Sequence, residues 1–252
     1  MKKVLIHIPH SSYYIPQRYR RLFYLSGEEL FQEQLRMTDS YTDQIYAVKG
    51  TERLIFPFSR LICDVERFRN EKDEEMTKQG MWICYTRTSD GKPLKEISNC
   101  HKQDILHLYD NHHAFLEKWV EKTAEEIGNC LIIDAHSFSS VPLPYELHSQ
   151  EFRPNICIGT DLFHTPDYLI DYFYNAFNQA GYSVGINTPF QGTIVPLRYY
   201  HQNKRVMSIM IELNRSLYMN ENTGKKKNEF GELKNNISRI IRNIPMNKKV
   251  RT

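Results

Sequence analysis

The sequence predicts an α/β three-layer sandwich, with a mostly parallel or mixed central sheet and helices on both faces. Short runs rich in Val, Ile and Leu recur along the chain without polar alternation, as strands covered by helices on both faces do. Longer segments with helical spacing lie between them, the alternation of a layered α/β fold. The 252 residues, 40% of them hydrophobic, can bury a sizeable core. A single domain over 1–252 is therefore expected.

In chain order, VLIHI (4–8) reads as the first strand and GEELFQEQLR (27–36) as the first helix. RLIF (53–56) and RLICDV (60–65) read as strands. The stretch 69–101 is the least regular; its charges, aromatics and TSDG turn with Gly91 suggest a long excursion and a flap. Residues 102–127 give the strongest helix, with Ile105, Leu108, His112, Phe115, Leu116, Trp119, Val120, Ala124 and Ile127 at steps of mostly three and four. CLIID (130–134) and NICIG (155–159) follow as strands. The helix over 166–180 has Thr165 as N-cap, Pro166 in its first turn and Gly181 as its stop. VMSIMIEL (206–213) is the last strand and 228–243 the last helix, ahead of a flexible tail over 244–252.

A charge of +3, from 33 basic and 30 acidic residues, is too balanced for a dedicated nucleic-acid binder. The clusters Lys225, Lys226, Lys227 and Lys248, Lys249, Arg251 read as a solvated turn and a frayed end. Cysteines 63, 84, 100, 130 and 157 have no CxxC spacing and mostly sit in apolar runs. They read as reduced core residues, not a disulfide frame or a thiolate zinc site. The apolar part of MKKVLIHIPH is too short for a signal peptide, and no window is long and apolar enough to cross a bilayer. The expectation is a soluble cytoplasmic protein with no membrane partner.

Ligands of an open α/β sheet bind beyond the carboxyl ends of its strands, so the polar residues that follow apolar runs matter most. VLIHIP delivers His10, CLIIDA delivers His136, and SIMIE delivers Glu212, a set that suits a metal hydrolase. Catalytic zinc takes three nitrogen or oxygen ligands and keeps a fourth position for water, so two histidines leave one carboxylate to find. Asp39 in MTDSYTD is the candidate, with Asp43 as its competitor on the following helix. Asp134 lies two residues before His136, hence on the same side of its strand, where it can orient that histidine. His7, inside an apolar run, reads as a satisfied buried histidine.

HIPHSSYYIP, the TD of MTDSYTDQIY, SRLICDVERFRN, GMWICYTRTSDGKPL, LIIDAHSFSS and IMIELNRSLYMNE resemble, in order and approximate spacing, the N-formylglutamate amidohydrolase family. The resemblance runs from about residue 5 to 221 and is most specific in DAHS and IELNRSLYMNE. It implies a zinc-exopeptidase-like α/β fold and hydrolysis of a small N-acyl amino acid. Zn2+, or another divalent ion, would be bound by His10, Asp39 and His136, with Glu212 as general base. Ser137 beside His136 and Asp64 in LICDV would support these groups from behind. Arginines grip carboxylates through paired hydrogen bonds, which makes Arg60, Arg67 and Arg215 candidates for a substrate carboxylate. Ordinary ion pairing among Arg60, Asp64, Glu66 and Arg67 is an equal reading.

The chain departs from the family pattern in several places. Ser11 and Ser12 follow His10 where the family has a small residue and glycine, an exchange expected to narrow the pocket. Glu66 replaces an asparagine. In PFQGTIVPLRYY a Gly-Gly pair followed by histidine and arginine is missing. Gln191 and Thr193 flank Gly192 there, and Pro196 takes the arginine's place, with Arg198 as its substitute. His112 and His113 resemble a Tyr-His pair of the family but read as a pair on the helix surface.

Three rivals remain. A serine hydrolase has Ser11 and Ser137 to draw on but lacks a GxSxG elbow. A non-haem iron enzyme shares the two-histidine, one-carboxylate set but leaves Glu212 without a task. A non-catalytic binding module would put the 16 Tyr and 13 Phe to use in recognition.

Overall fold

The computed structural model describes residues 3–146 and 152–245. Among them six strands form one sheet in the order β2-β1-β3-β6-β4-β5. The strands are β1 (Val4–Ile8), β2 (Glu52–Ile55), β3 (Cys130–Phe138), β4 (Ile156–Gly159), β5 (Val184–Ile186) and β6 (Val206–Asn214). β4 runs antiparallel to β6, and every other pairing is parallel. β3 and β6, at the centre, are buried at all nine positions each. Full burial on both faces explains why their sequences show no alternation.

The helices are α1 (Gln17–Arg20), α2 (Gly27–Met37), α3 (Thr42–Ile45), α4 (Asn99–Ile127), α5 (Asp167–Gln179) and α6 (Phe230–Arg242). α2 starts at a capping box in which Ser26 and Glu29 satisfy each other's backbone N–H groups. α4 starts at Ser98, whose hydroxyl accepts the His101 N–H. It ends at Gly128, where φ of +85° needs a residue without Cβ.

One sheet face carries Ile6, Ile8, Ile133 and Ile211 against Ile45, Phe173, Phe177 and Ile237 of α3, α5 and α6. On the other face Leu116, Trp119 and Val120 of α4 cover Leu5, Ile132 and Val206. The first half of α4 leaves the sheet and packs Ile105, Leu106 and Tyr109 on Leu61, Ile62, Trp82, Ile83 and Tyr85. The long helix thereby joins two cores.

The expected layers and most expected elements are present, and four differ. Residues 60–65 form turns instead of a strand, although 61–65 are buried, with the Ile62 N–H on the Ser59 carbonyl and the Asp64 N–H on the Ile83 carbonyl. A short apolar run looks alike whether its backbone joins a ladder or turns through a core. β5 has only three residues, one of them Gly185, too little pattern to read. Pro166 itself is the N-cap of α5, because the Thr165 hydroxyl is committed to the Ser208 carbonyl. The 69–101 stretch is not irregular throughout: Met81, Ile83 and Tyr85 are core residues, and exposed positions concentrate at 69–79 and 90–93.

Cysteines 63, 84, 130 and 157 are buried, as expected of core thiols, and Cys100 is exposed. No helix among the described residues is long and apolar enough to cross a membrane. From residue 246 onward the expected tail, with Lys248, Lys249 and Arg251, lies outside the described residues.

Candidate active site

The parity of three strands builds the floor of the site. His7 of β1 pairs with Asp134 of β3, and His136 of β3 pairs with Glu212 of β6. Residues two apart share a strand face. His7, Asp134, His136 and Glu212 therefore continue the face that α4 covers at Leu5, Ile132 and Val206. His10 lies two residues past β1, and its carbonyl accepts the Asp39 N–H at 2.9 Å, which fastens the turn after α2 to the strand end. Asp43 instead lies within α3, where its carbonyl accepts from Arg53.

The buried His10, Asp39 and His136 offer three donor atoms within 4.8 Å of one another, and this group can hold a metal ion. Asp39 Oδ2 is 3.1 Å from His136 Nδ1 and 3.6 Å from His10 Nδ1. The other ring nitrogen of each histidine meets a carboxylate: His10 Nε2 is 2.8 Å from Asp64 Oδ1, and His136 Nε2 is 3.0 Å from Asp134 Oδ1. Such outer carboxylates fix the orientation of a ligating imidazole. His10 Nδ1 is buried with no hydrogen-bond partner, as is Glu212 Oε2. Orphaned polar atoms of this kind are rare in a native interior, and here both residues line one cavity. The donor set thus fits a divalent ion such as zinc, in nitrogen and oxygen chemistry and in number.

Charge is balanced around the trio. Burial raises the Asp39 carboxyl, but the neighbouring His10 and His136 imidazoles and the Arg215 charge outweigh it and hold the group well below the usual carboxylate range. Burial likewise raises Asp64, and Arg60, His10 and Arg67 overcome it. At Glu212 burial wins instead. Burial, reinforced by Asp39 and only partly offset by His136, lifts it to about 7.

Behind the trio, His7 Nδ1 lies 2.9 Å from Asp134 and 3.1 Å from Glu66, while its Nε2 reaches His112 Nε2 at 2.8 Å. Burial lowers the His7 pKa, but the Asp134 and Glu66 carboxylates outweigh it and raise it to about 9. His112 is pushed down to about 2, chiefly by burial and then by the His7 charge.

The trio and Glu212 line a cavity of about 360 Å3, with Arg60, Arg67 and Gln191 among its other walls. Arg60 donates to Asp64 at 2.7 Å and Arg67 to the Tyr85 hydroxyl at 3.1 Å, yet both Nε atoms are buried without a hydrogen-bond partner. The cavity therefore combines a trio that could hold a metal ion, a buried carboxylate and two guanidinium groups.

Several expected site residues lie elsewhere. Arg215 does not reach the cavity. Its guanidinium is buried on Asp39 Oδ1 at 2.9 Å and on Ser137, whose Oγ and carbonyl accept at 3.2 and 3.1 Å. Arg215 thus holds the Asp39 carboxylate in place, and Ser137 helps to hold Arg215. Arg198 does not replace the missing arginine, because it lies on the surface, 59% exposed and paired with Glu117 and Glu121 of α4. Ser11 and Ser12 narrow nothing: neither lines the cavity, and the Ser12 hydroxyl donates to the Pro57 carbonyl. His112 and His113 are not a surface pair. His112 is buried on His7, and His113 donates to the Val65 carbonyl.

Glu66, Met76, Tyr145, Glu146 and Phe190 also line the cavity, and Tyr85 donates to Asp64 at 2.5 Å. No spacing marks them, since they come from irregular segments. The only available signal was the place of Glu66, Tyr85 and Phe190 inside the motif blocks DVER, WICY and PFQG; Met76, Tyr145 and Glu146 had none.

The sequence model of the N-formylglutamate amidohydrolase family matches residues 2–219. No curated protein matches the sequence. Among solved structures, the crystal structure of N-formylglutamate amidohydrolase from Ralstonia eutropha JMP134 is similar, with a TM-score of 0.81 at 20% identity over 95% of this chain and 92% of that one. A gene product of Agrobacterium tumefaciens is also similar, with a TM-score of 0.63 at 18% identity over 96% of this chain and 91% of the other.

Proposed function

Because the chain belongs to the N-formylglutamate amidohydrolase family, we propose that it is a metal-dependent hydrolase of the amide bond of an N-formyl or other small N-acyl amino acid. His10, Asp39 and His136 would hold the ion, Zn2+ or another divalent metal, on a zinc-exopeptidase-like fold. The observation that carries the reading is the meeting of three donor atoms within 4.8 Å, beside a basic carboxylate on the neighbouring strand. A metal bound there supplies a Lewis acid that polarises the amide carbonyl and acidifies water.

The chain's own residues do the rest. Glu212, raised to about 7 by burial, is a stronger base than an ordinary carboxylate. It takes a proton from the attacking water and returns it to the departing nitrogen. Asp64 and Asp134 keep the ring nitrogens of His10 and His136 turned toward Asp39. The guanidinium groups of Arg60 and Arg67, which line the cavity, suit the substrate carboxylate.

The test is metal content per chain. His10→Ala, Asp39→Ala and His136→Ala should each lose bound metal and activity together, and Asp43→Ala should keep both. Full metal in Asp39→Ala with loss in Asp43→Ala would move the ligand by one helical turn and overturn the assignment.

A further inference from the structure

A second cavity, of about 310 Å3, adjoins the first. Glu66, Arg67, Gln191 and Met210 line both, so the two share a wall. Beyond that wall the second cavity is bounded by Phe68, Tyr109, Val195, Leu197 and Tyr200. Most polar groups at its border are already satisfied. Asp134 is held by His7, His136 and the Ile194 N–H, and Asp161 by His201 and the N–H groups of Phe163 and His164. The Tyr109 hydroxyl donates to the Arg67 carbonyl, and His113 to that of Val65. An occupant therefore gains by burying apolar surface. An anionic one would meet Glu66, Asp134 and Asp161, with Arg69 already committed to Asp110.

Arg67 stands on the shared wall, with its Nε 3.5 Å from Asp64 Oδ2 and its Nη2 donating to the Tyr85 hydroxyl. A substrate α-carboxylate on Arg67 sets the α-carbon at that wall, with the amide on the His10 and His136 side and the side chain on the other. We infer that the second cavity is the side-chain subsite, and that the substrate is an N-acyl derivative of an apolar amino acid, aromatic or branched, in preference to glutamate. The inference rests on the hydrolase reading above.

The experiment compares kcat/KM of the zinc-loaded full chain for N-formylphenylalanine, N-formylglutamate and N-formylglycine. It does so in the wild type and in the double variant Leu197→Ala with Tyr200→Ala, whose side chains are exposed at the cavity mouth. The phenylalanine derivative should lead the other two by about tenfold or more, the discrimination an apolar pocket gives. The double variant should lose that lead through KM, with kcat and the glycine derivative unchanged. Preference for the glutamate derivative, or an equal effect of the variant on all three, overturns the subsite.

Calorimetry of free phenylalanine and glutamate reads the same cavity without turnover. If no derivative is hydrolysed but phenylalanine binds more tightly than glutamate, and more weakly to the variant, the hydrolase reading fails and the subsite stands. If all three are hydrolysed alike, the subsite fails and the hydrolase reading stands.

Discussion

Glu212 stands directly across the β3–β6 ladder from His136, and its Oε2 is sealed from solvent without a hydrogen-bond partner. A carboxylate so placed beside a ligand set, yet making no bond to it, is free to handle a proton. Glu212→Gln should keep its metal while turnover falls by about 10² to 10⁴-fold, the usual worth of a general base. An unchanged turnover number in a metal-replete variant would remove Glu212 from the reaction.

The same burial carries a cost in stability. In the metal-free protein the folded-state pKa of Glu212 is raised from 4.5 to about 7. The folded state thus favours the neutral form, and the penalty for ionisation is absent below the unfolded value and grows as pH rises through the folded one. Glu212→Gln removes the ionisable group. The metal-free variant should therefore gain in Tm over metal-free wild type as pH goes from 5 to 8. A Tm difference that stays constant across that range would count against the shift.

Arg67 and Arg198 separate carboxylate binding from surface charge. Arg67→Met removes a cavity cation and should raise KM by about 10- to 150-fold, the equivalent of about 1.5 to 3 kcal/mol for a lost charged hydrogen bond. Arg198→Met should change KM by no more than about twofold, since its partners lie on the solvent side of α4. Steady-state kinetics on one N-formyl amino acid decides both, and a larger effect at Arg198 would place carboxylate recognition on the 189–200 segment instead.

Arg215→Met leaves Asp39 without its buried guanidinium partner. Metal affinity should drop by about 10- to 100-fold, as for other outer partners of a ligand, and turnover should recover in part at saturating metal. Competition with a chromogenic chelator measures the affinity directly. Wild-type affinity would show that Asp39 keeps its position without help.

The division of the 69–101 stretch is visible to amide hydrogen exchange. The backbone around 81–85 should be as protected as the strands, because Ile83 and Tyr85 are buried and the Ile83 carbonyl is bonded to Asp64. Residues 69–80 should exchange faster and slow when a substrate analogue binds beside Met76, a cavity residue. Equal protection across 69–101 would make the whole stretch a rigid insertion.

What could be read from the sequence follows from how each residue is placed. His136 and Asp134 were legible because period-two geometry puts both on one strand face, and β3 and β6 because burial on both faces leaves an unbroken apolar run. Asp39 was legible only as one of two aspartates, since it sits in a turn whose position depends on a backbone bond to His10. Arg215 and Arg198 lie away from the cavity for one reason. A guanidinium reaches far enough that its neighbours in space, not in sequence, decide whether it faces a ligand, a buried carboxylate or water. The same holds for His112, which helical spacing places on α4 but only the packing of α4 on β1 joins to His7.

The sheet order has a consequence for how this chain can diversify. His136 and Glu212 stand on its two innermost strands, where a register slip would turn each to the opposite face. Gln191, Leu197 and Tyr200 hang from the connection between β5 and β6, outside any ladder, where exchange and insertion are tolerated. Reactivity and substrate choice are therefore separable under mutation: descendants of this chain can trade one amide for another by rewriting a loop, with the bond-breaking apparatus inherited intact.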